Sequence, residues 1–206
     1  GGFPSEGGLN YKPKRKIQIP SFFPSFLLNF FTVKLFNSIY YIKAKNSKTI
    51  KKVNLDNFFF PLDSIKSWNR IYGKKGFIQY QFILPKKNSY EGLKEILSII
   101  SYQKKHSFLA VLKLYGHEND NYLSFPLEGY SLALDFKMQP GIFEFLKELD
   151  KVVLSYNGRI YLSKDSRVSK EVFERGYPKI EKFRKLRKEM NLRNKFSSLQ
   201  SERLEL

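Results

Sequence analysis

Between residues 76 and 84 the chain reads Gly76-Phe77-Ile78-Gln79-Tyr80-Gln81-Phe82-Ile83-Leu84, a two-residue alternation that predicts a strand. Ile78, Tyr80, Phe82 and Leu84 share one face, as a strand covered by helices requires, and Gln79 and Gln81 share the other. Two neighbouring amides suit a polar ligand, although a solvated face of an antiparallel sheet would read the same way. The period then changes to that of a helix over 90–103, where Leu93, Ile96, Leu97 and Ile100 form an apolar stripe. Alternation returns at 108–114 and, after a turn rich in Gly, Asn and Asp at 116–121, at 130–136. Pro140-Gly141 opens a second helix with the stripe Ile142, Phe145, Leu146, Leu149, Val152 and Val153. Asn157-Gly158 ends it and starts a strand at 159–162.

The order β-α-β-β-α-β is that of the ferredoxin-like unit, so the expected fold class is α+β, an antiparallel sheet with both helices on one face. Two basic helical stretches follow, at 167–175 and 179–190. Upstream the pattern is weaker: 1–35 is an irregular lead-in with an aromatic and basic patch, and a strand is expected at 38–43. A Lys-rich turn at 46–52 follows, Pro61 ends any extended run, and Trp68-Asn69-Arg70 falls in a loop.

Composition narrows the partners. In 206 residues, 42% hydrophobic and 17% aromatic, there is enough apolar material for a sizeable core. A net charge of +18 points to an anionic partner: nucleic acid, a lipid headgroup or a phosphorylated substrate. The absence of cysteine excludes a disulfide framework, a thiolate nucleophile and Cys-ligated metal. No run approaches the roughly 18–20 apolar residues of a membrane span. The stretch 22–36, between Lys12, Lys14, Arg15 and Lys16 and Lys43, Lys45 and Lys48, has the character of an aromatic patch for an anionic membrane surface, or of a buried irregular segment. The opening Gly-Gly-Phe-Pro-Ser-Glu-Gly-Gly has neither an initiator Met nor a signal pattern, so the sequence is expected to be part of a longer protein.

Alternation adds candidates to the glutamine face. Lys113 falls with Leu109 and Val111, and Ser131 with Ala133 and Asp135, so Gln79, Gln81, Lys113 and Ser131 can converge on one sheet face. Lys164, at a strand-to-helix corner, also suits a ligand, and Asp165-Ser166 reads as a helix N-cap. His106 and His117 have no paired carboxylate motif, and no metal-ligating, phosphate-loop or dinucleotide motif is present. The stretch 75–82 superficially resembles the signature strand of RNA-recognition motifs, but Ile78 stands where Gly or Ala belongs and Gln79 where a stacking ring belongs. Nucleic acid is therefore an unlikely partner by this reading.

Several motifs carry a resemblance. Phe60-Pro61-Leu62-Asp63, Trp68-Asn69-Arg70-Ile71-Tyr72-Gly73, the 76–82 strand, Lys113-Leu114-Tyr115-Gly116, Leu123-Ser124-Phe125-Pro126, Tyr161-Leu162-Ser163-Lys164-Asp165-Ser166-Arg167 and the terminal Arg203-Leu204-Glu205-Leu206 resemble the decaprenylphosphoryl-β-D-ribose 2′-oxidases, flavoenzymes of the vanillyl-alcohol-oxidase superfamily. The resemblance implies the C-terminal half of such an oxidase: a substrate-binding domain over 36–158 and a C-terminal segment, 159–206, that packs on an FAD-binding half missing here. It implies FAD as cofactor, a polyprenylphosphoryl sugar as substrate, an NAD-dependent ketoreductase as partner in epimerisation, and a cytoplasmic or peripheral location on the inner face of the cell membrane, the periplasmic side remaining open.

By the same resemblance Lys164 matches the active-site lysine and Tyr161 a tyrosine near the flavin, while Gln79, Gln81 and Lys113 match cavity residues. Ser131, Phe59, Tyr115 and Tyr130 complete the implied substrate-binding set. Phe59 stands where the family has a cavity tyrosine, and Ser131 and Ala133 replace an Asn and a Cys. Those departures leave an oxidase of a soluble sugar or lactone as the alternative enzyme.

Overall fold

The computed structural model describes residues 17–20, 24, 29–45, 60, 62, 65–192 and 195–206. Phe59 and most of the 46–64 stretch lie outside the described residues, as do parts of the 22–36 patch.

Four antiparallel strands form the main sheet: β3 (Phe77–Pro85), β4 (Ser107–Tyr115), β5 (Gly129–Lys137) and β6 (Arg159–Ile160). Their order across the sheet is β4-β5-β3-β6, which places the two long predicted strands β3 and β5 at the centre. A smaller parallel pair joins β1 (Ile17–Gln18) to β2 (Ile65–Lys66). Helices α2 (Ser89–Tyr102) and α3 (Ile142–Ser155) cover one face. There Ile78, Tyr80, Phe82 and Leu84 pack with Leu132, Leu134 and Phe136 against Ile96, Ile100, Phe145, Leu146, Leu149 and Val153. The same core takes in Phe173 and Tyr177 of and next to α4 (Lys170–Gly176), Ile180 of α5 (Ile180–Glu189) and Leu204 just after α6 (Leu199–Arg203). The C-terminal helices are thus part of the main layer.

Asn157 and Gly158 divide the work of ending α3. Asn157 takes the left-handed conformation, φ 57°, whereas Gly158 is needed for space, because a Cβ there would stand 2.5 Å from the Ile83 carbonyl oxygen. Gly129 opens β5 under a tighter constraint, its ideal Cβ falling 1.9 Å from the Leu84 carbonyl oxygen.

Two expectations fail. The strand expected at 38–43 and the end of the irregular lead-in are instead helix α1 (Phe30–Lys45). Asn29 starts it, its Oδ1 accepting from the backbone N–H groups of Phe31 at 2.9 Å and Thr32 at 3.2 Å. Ser-Ile-Tyr-Tyr-Ile favours a strand only when another strand borders it, and here none does among the described residues. Asp165 is also not a helix N-cap: its Oδ1 accepts from the N–H groups of Arg167 and Val168 in a turn, and Ser169 caps α4.

Candidate active-site wall

The face of β3 and β5 turned away from the helices is covered at both ends. At one end Ile83 packs with Phe125 and Leu127, flanked by Tyr115 and Tyr161. The segment that brings Phe125 there is tethered by Arg159, whose Nη1 donates to the Ser124 carbonyl at 2.6 Å. At the other end a 3-10 turn, Trp68–Tyr72, lays Tyr72 flat against Phe77 with ring centroids 4.5 Å apart. Between the two covers lies a polar strip.

Strand register builds the strip. Gln79 stands opposite Asp135, Gln81 opposite Ala133 and Ile83 opposite Ser131 on the β3–β5 side, and Lys113 stands opposite Ser131 on the β4–β5 side. Gln81 Nε2 donates to Ser131 Oγ at 3.0 Å, and both residues are buried. Gln79 is half-buried and Lys113 is exposed at the edge strand. Gln79, Gln81, Lys113 and Ser131 thus share one sheet face by register, Gln81 and Ser131 buried within it and Gln79 and Lys113 progressively more open.

Lys164 approaches the strip from the 3-10 turn Leu162–Lys164, which follows β6. The Tyr161 N–H donates to the Gln81 carbonyl at 2.8 Å, stitching this corner to β3, and the Tyr161 ring lies 4.4 Å from that of Phe125. Gln79, Gln81, Tyr161, Lys164, Asp165 and Arg167 border a crease of about 10 Å³, room for one water. A larger open depression of about 730 Å³ lies on the outer side of α2, along Tyr90, Leu93, Leu97 and Tyr102, and touches none of these residues.

The corner is pinned by ion pairs of low exposure. Arg167 holds Asp150 through two contacts of 2.7 Å, and the Tyr80 hydroxyl donates to the same carboxylate at 3.0 Å. Burial pushes the Tyr80 phenol well above its ordinary pKa, and the neighbouring Asp150 charge adds to the shift. Asp165 pairs with Arg203 at 2.8 Å, and Gln200 Nε2 donates to the Leu162 carbonyl at 2.7 Å. Lys164, by contrast, has no carboxylate within ion-pair distance among the described residues.

Asp135 and Tyr72 were not among the residues selected from sequence. The alternation that placed Ser131 on this face also placed Asp135 there, so its position was readable; Tyr72 lay in a stretch without periodicity. Asp135 is 1% exposed. Burial raises its pKa, opposed by a hydrogen bond from Gln79, the charge of Lys164 and contact with Tyr72. The Tyr72 hydroxyl lies beside it and is likewise raised by burial and then by Asp135. Yet neither Tyr72 Oη nor Asp135 Oδ2 has a hydrogen bond of normal geometry.

Of the remaining implied site residues, Tyr115 packs edge-on to Phe125 on the same face. Tyr130 does not join them: it sits across from Leu84 and Leu114, and the pleat turns it to the helix-covered side. It therefore cannot line this strip, and its selection is corrected here. No group of acids and histidines that could hold a metal occurs among the described residues, and no helix among them is long and apolar enough to cross a membrane.

No protein-family model matches the chain. It is 37% identical over 198 residues to the decaprenylphosphoryl-β-D-ribose oxidase of Mycolicibacterium smegmatis, a match that covers 96% of this chain and 43% of that protein. It is also 36% identical over 97 residues to an uncharacterized protein in the mprA 5′ region of Streptomyces coelicolor, covering 47% of this chain and 26% of the other. The chain thus spans less than half the length of the oxidase it matches. The first match runs through the glutamine strand, the tethered Phe125 segment and the Lys164 corner alike, and by it this chain belongs to the decaprenylphosphoryl-β-D-ribose oxidase family.

Proposed function

We propose that this chain forms the substrate-binding wall of an FAD-dependent oxidoreductase that oxidises the ribose 2′-hydroxyl of a polyprenylphosphoryl sugar. The observation that carries the reading is Lys164, a half-buried lysine without an ion-pair partner among the described residues, bordering one crease with the half-buried Gln79 and the buried Gln81. The strand order, with both long helices on the opposite face, supports a ferredoxin-like substrate domain. An FAD-binding half, contributed by sequence beyond this chain, would complete the enzyme.

The residues present fit a flavin edge: one ammonium without an ion-pair partner among the described residues, flanked by amides and aromatic rings, suits an electron-poor heterocycle that gains negative charge when it is reduced. When bound, FAD supplies a hydride acceptor. The chain's own part is electrostatic and steric. Lys164 stabilises the charge that develops on reduction, as a preorganised cation does in a water-poor site. Gln79 and Lys113 orient the sugar and its phosphate, Gln81 and Ser131 brace the wall behind them, and Tyr161 with Phe125 exclude water. In the intact flavin-loaded protein, Lys164→Ala is expected to lower kcat for sugar oxidation by about 10²–10³-fold with little change in thermal stability. Unchanged turnover would refute the assignment.

The lipid part of the substrate points to a membrane surface. Helix α1 leaves Phe31, Leu35, Ile39, Tyr40 and Tyr41 exposed beside Lys34, Lys43 and Lys45, a mixture of apolar and cationic groups suited to an anionic bilayer. We assign a peripheral location on these grounds. Flotation with liposomes containing anionic lipid should carry the protein at low salt and release it at high salt. No association at low salt would defeat this part of the reading. The NAD-dependent ketoreductase expected to act on the product would bind elsewhere on the assembled enzyme.

A further inference from the structure

We infer that Asp135 is a positioning residue that acts through Lys164, setting the place and effective charge of its ammonium group. The inference rests on the reading of Lys164 above and extends it to a second residue.

Three acidic side chains lie in the body of the fold around this corner, and two of them are accounted for. Asp150 is held by Arg167 and Asp165 by Arg203, each carboxylate only 2% exposed. Asp135 is equally buried and has no arginine. Gln79 stands opposite it across the β3–β5 pair and borders the same crease as Lys164, and the Lys164 charge, with Gln79 and Tyr72, opposes the burial that raises the Asp135 pKa. From β4, Ser107 faces only its backbone, the Asp135 N–H donating to Ser107 Oγ at 3.0 Å. One carboxylate oxygen, Oδ2, and the adjacent Tyr72 Oη are both left without a hydrogen bond.

A buried carboxylate with no cation at ion-pair distance is costly, and an Asn or Ser at this position would avoid the charge altogether. Nothing in the packing requires a carboxylate here: its neighbours on the strip are the small Ala133 and the half-buried Gln79. What distinguishes Asp135 from Asp150 and Asp165 is its basic neighbour, a lysine on a short turn rather than an arginine locked by a two-pronged contact. A lysine is a mobile point charge that a nearby carboxylate can draw in or release. With Asp135 ionised, the ammonium is shared between that carboxylate and any anionic group at the wall. With Asp135 neutral, the ammonium's full charge is available to the anion.

The test uses the intact protein loaded with FAD and reads the midpoint potential of the bound flavin, with Lys164→Met, Asp135→Asn and the double variant compared at one pH. Lys164→Met should shift the potential down and Asp135→Asn should shift it up. In the Lys164→Met background, Asp135→Asn should lose most of its effect. If Asp135→Asn leaves the potential unchanged while Lys164→Met moves it, the positioning role is overturned and the Lys164 reading stands. An equal shift from Asp135→Asn in both backgrounds would also overturn it, since Asp135 would then act directly. If neither single variant moves the potential, the proposed function itself fails. Asp135→Ser, which leaves room for a water, replaces the Asn variant if that one does not fold.

Discussion

Replacing Arg167 by Met tests whether the Lys164 corner is anchored by a buried charge pair. Arg167 is 9% and Asp150 2% exposed, and the guanidinium spans both carboxylate oxygens at 2.7 Å while its Nη2 also donates to the Leu146 carbonyl. Without Arg167 the carboxylate keeps only the Tyr80 hydroxyl as donor. Breaking a buried pair on one side costs about 3–5 kcal/mol. Because the Tyr80 hydroxyl still donates to Asp150, the loss should fall at the lower end, about 3–4 kcal/mol. For a chain of this size that corresponds to a fall of roughly 6–16 °C in Tm. Adding Asp150→Leu should restore much of the loss, less about 1 kcal/mol for the stranded Tyr80 hydroxyl. Arg167→Lys should rescue little, since one ammonium cannot bridge both oxygens. Urea unfolding of the single and double variants measures the cycle. A single-variant loss under about 1 kcal/mol, or strictly additive losses, would refute the anchor.

Gln81→Leu should cost about 1–3 kcal/mol in thermal unfolding, because Ser131 Oγ, fully buried, loses its partner at 3.0 Å; a loss no larger than that of Gln79→Leu would mean the bond does not brace the wall. The raised pKa of Asp135 makes a prediction of opposite sign to the usual carboxylate. Its folded state binds a proton more tightly than the unfolded chain, so this residue's contribution is favourable at low pH and is lost as pH rises from the ordinary carboxyl value through the raised folded value. Asp135→Asn should flatten that decline and be no less stable than the parent at pH 7. A steeper decline in the variant would show the sign to be wrong.

The central fold was legible because its signals were local and agreed with one another. Alternation in β3 and β5 and the apolar stripes of α2 and α3 each match a face that the structure buries. The misread helix α1 shows where that logic stops. Its β-branched and aromatic residues are nearly all exposed, so no buried face was available to set a period, and the decisive signal was a single capping residue, Asn29. At the site, alternation placed Gln79, Gln81, Ser131 and Asp135 together, but it could not show how far the face would be covered. That depends on Phe125, Tyr161 and Tyr72, which arrive from irregular segments. Tyr130 was selected by family likeness against its own alternation, and the alternation was the better guide.

In the corner 164–167 each residue of the Lys-Asp-Ser-Arg sequence has a distinct place in the turn. Asp165 spends one oxygen on two backbone N–H groups and the other on Arg203, which fixes the turn to the C-terminal helix. Arg167 spends its guanidinium on Asp150, which fixes the same turn to α3. Ser166 faces solvent. Within 164–167 only Lys164 keeps a charge with no opposite charge at ion-pair distance among the described residues. Two residues in this run of four hold the backbone from both sides and so fix where the Lys164 ammonium stands beside the β3 strip. The distant contacts to Gln200 and Arg203 are therefore as much a part of the site as the lysine itself.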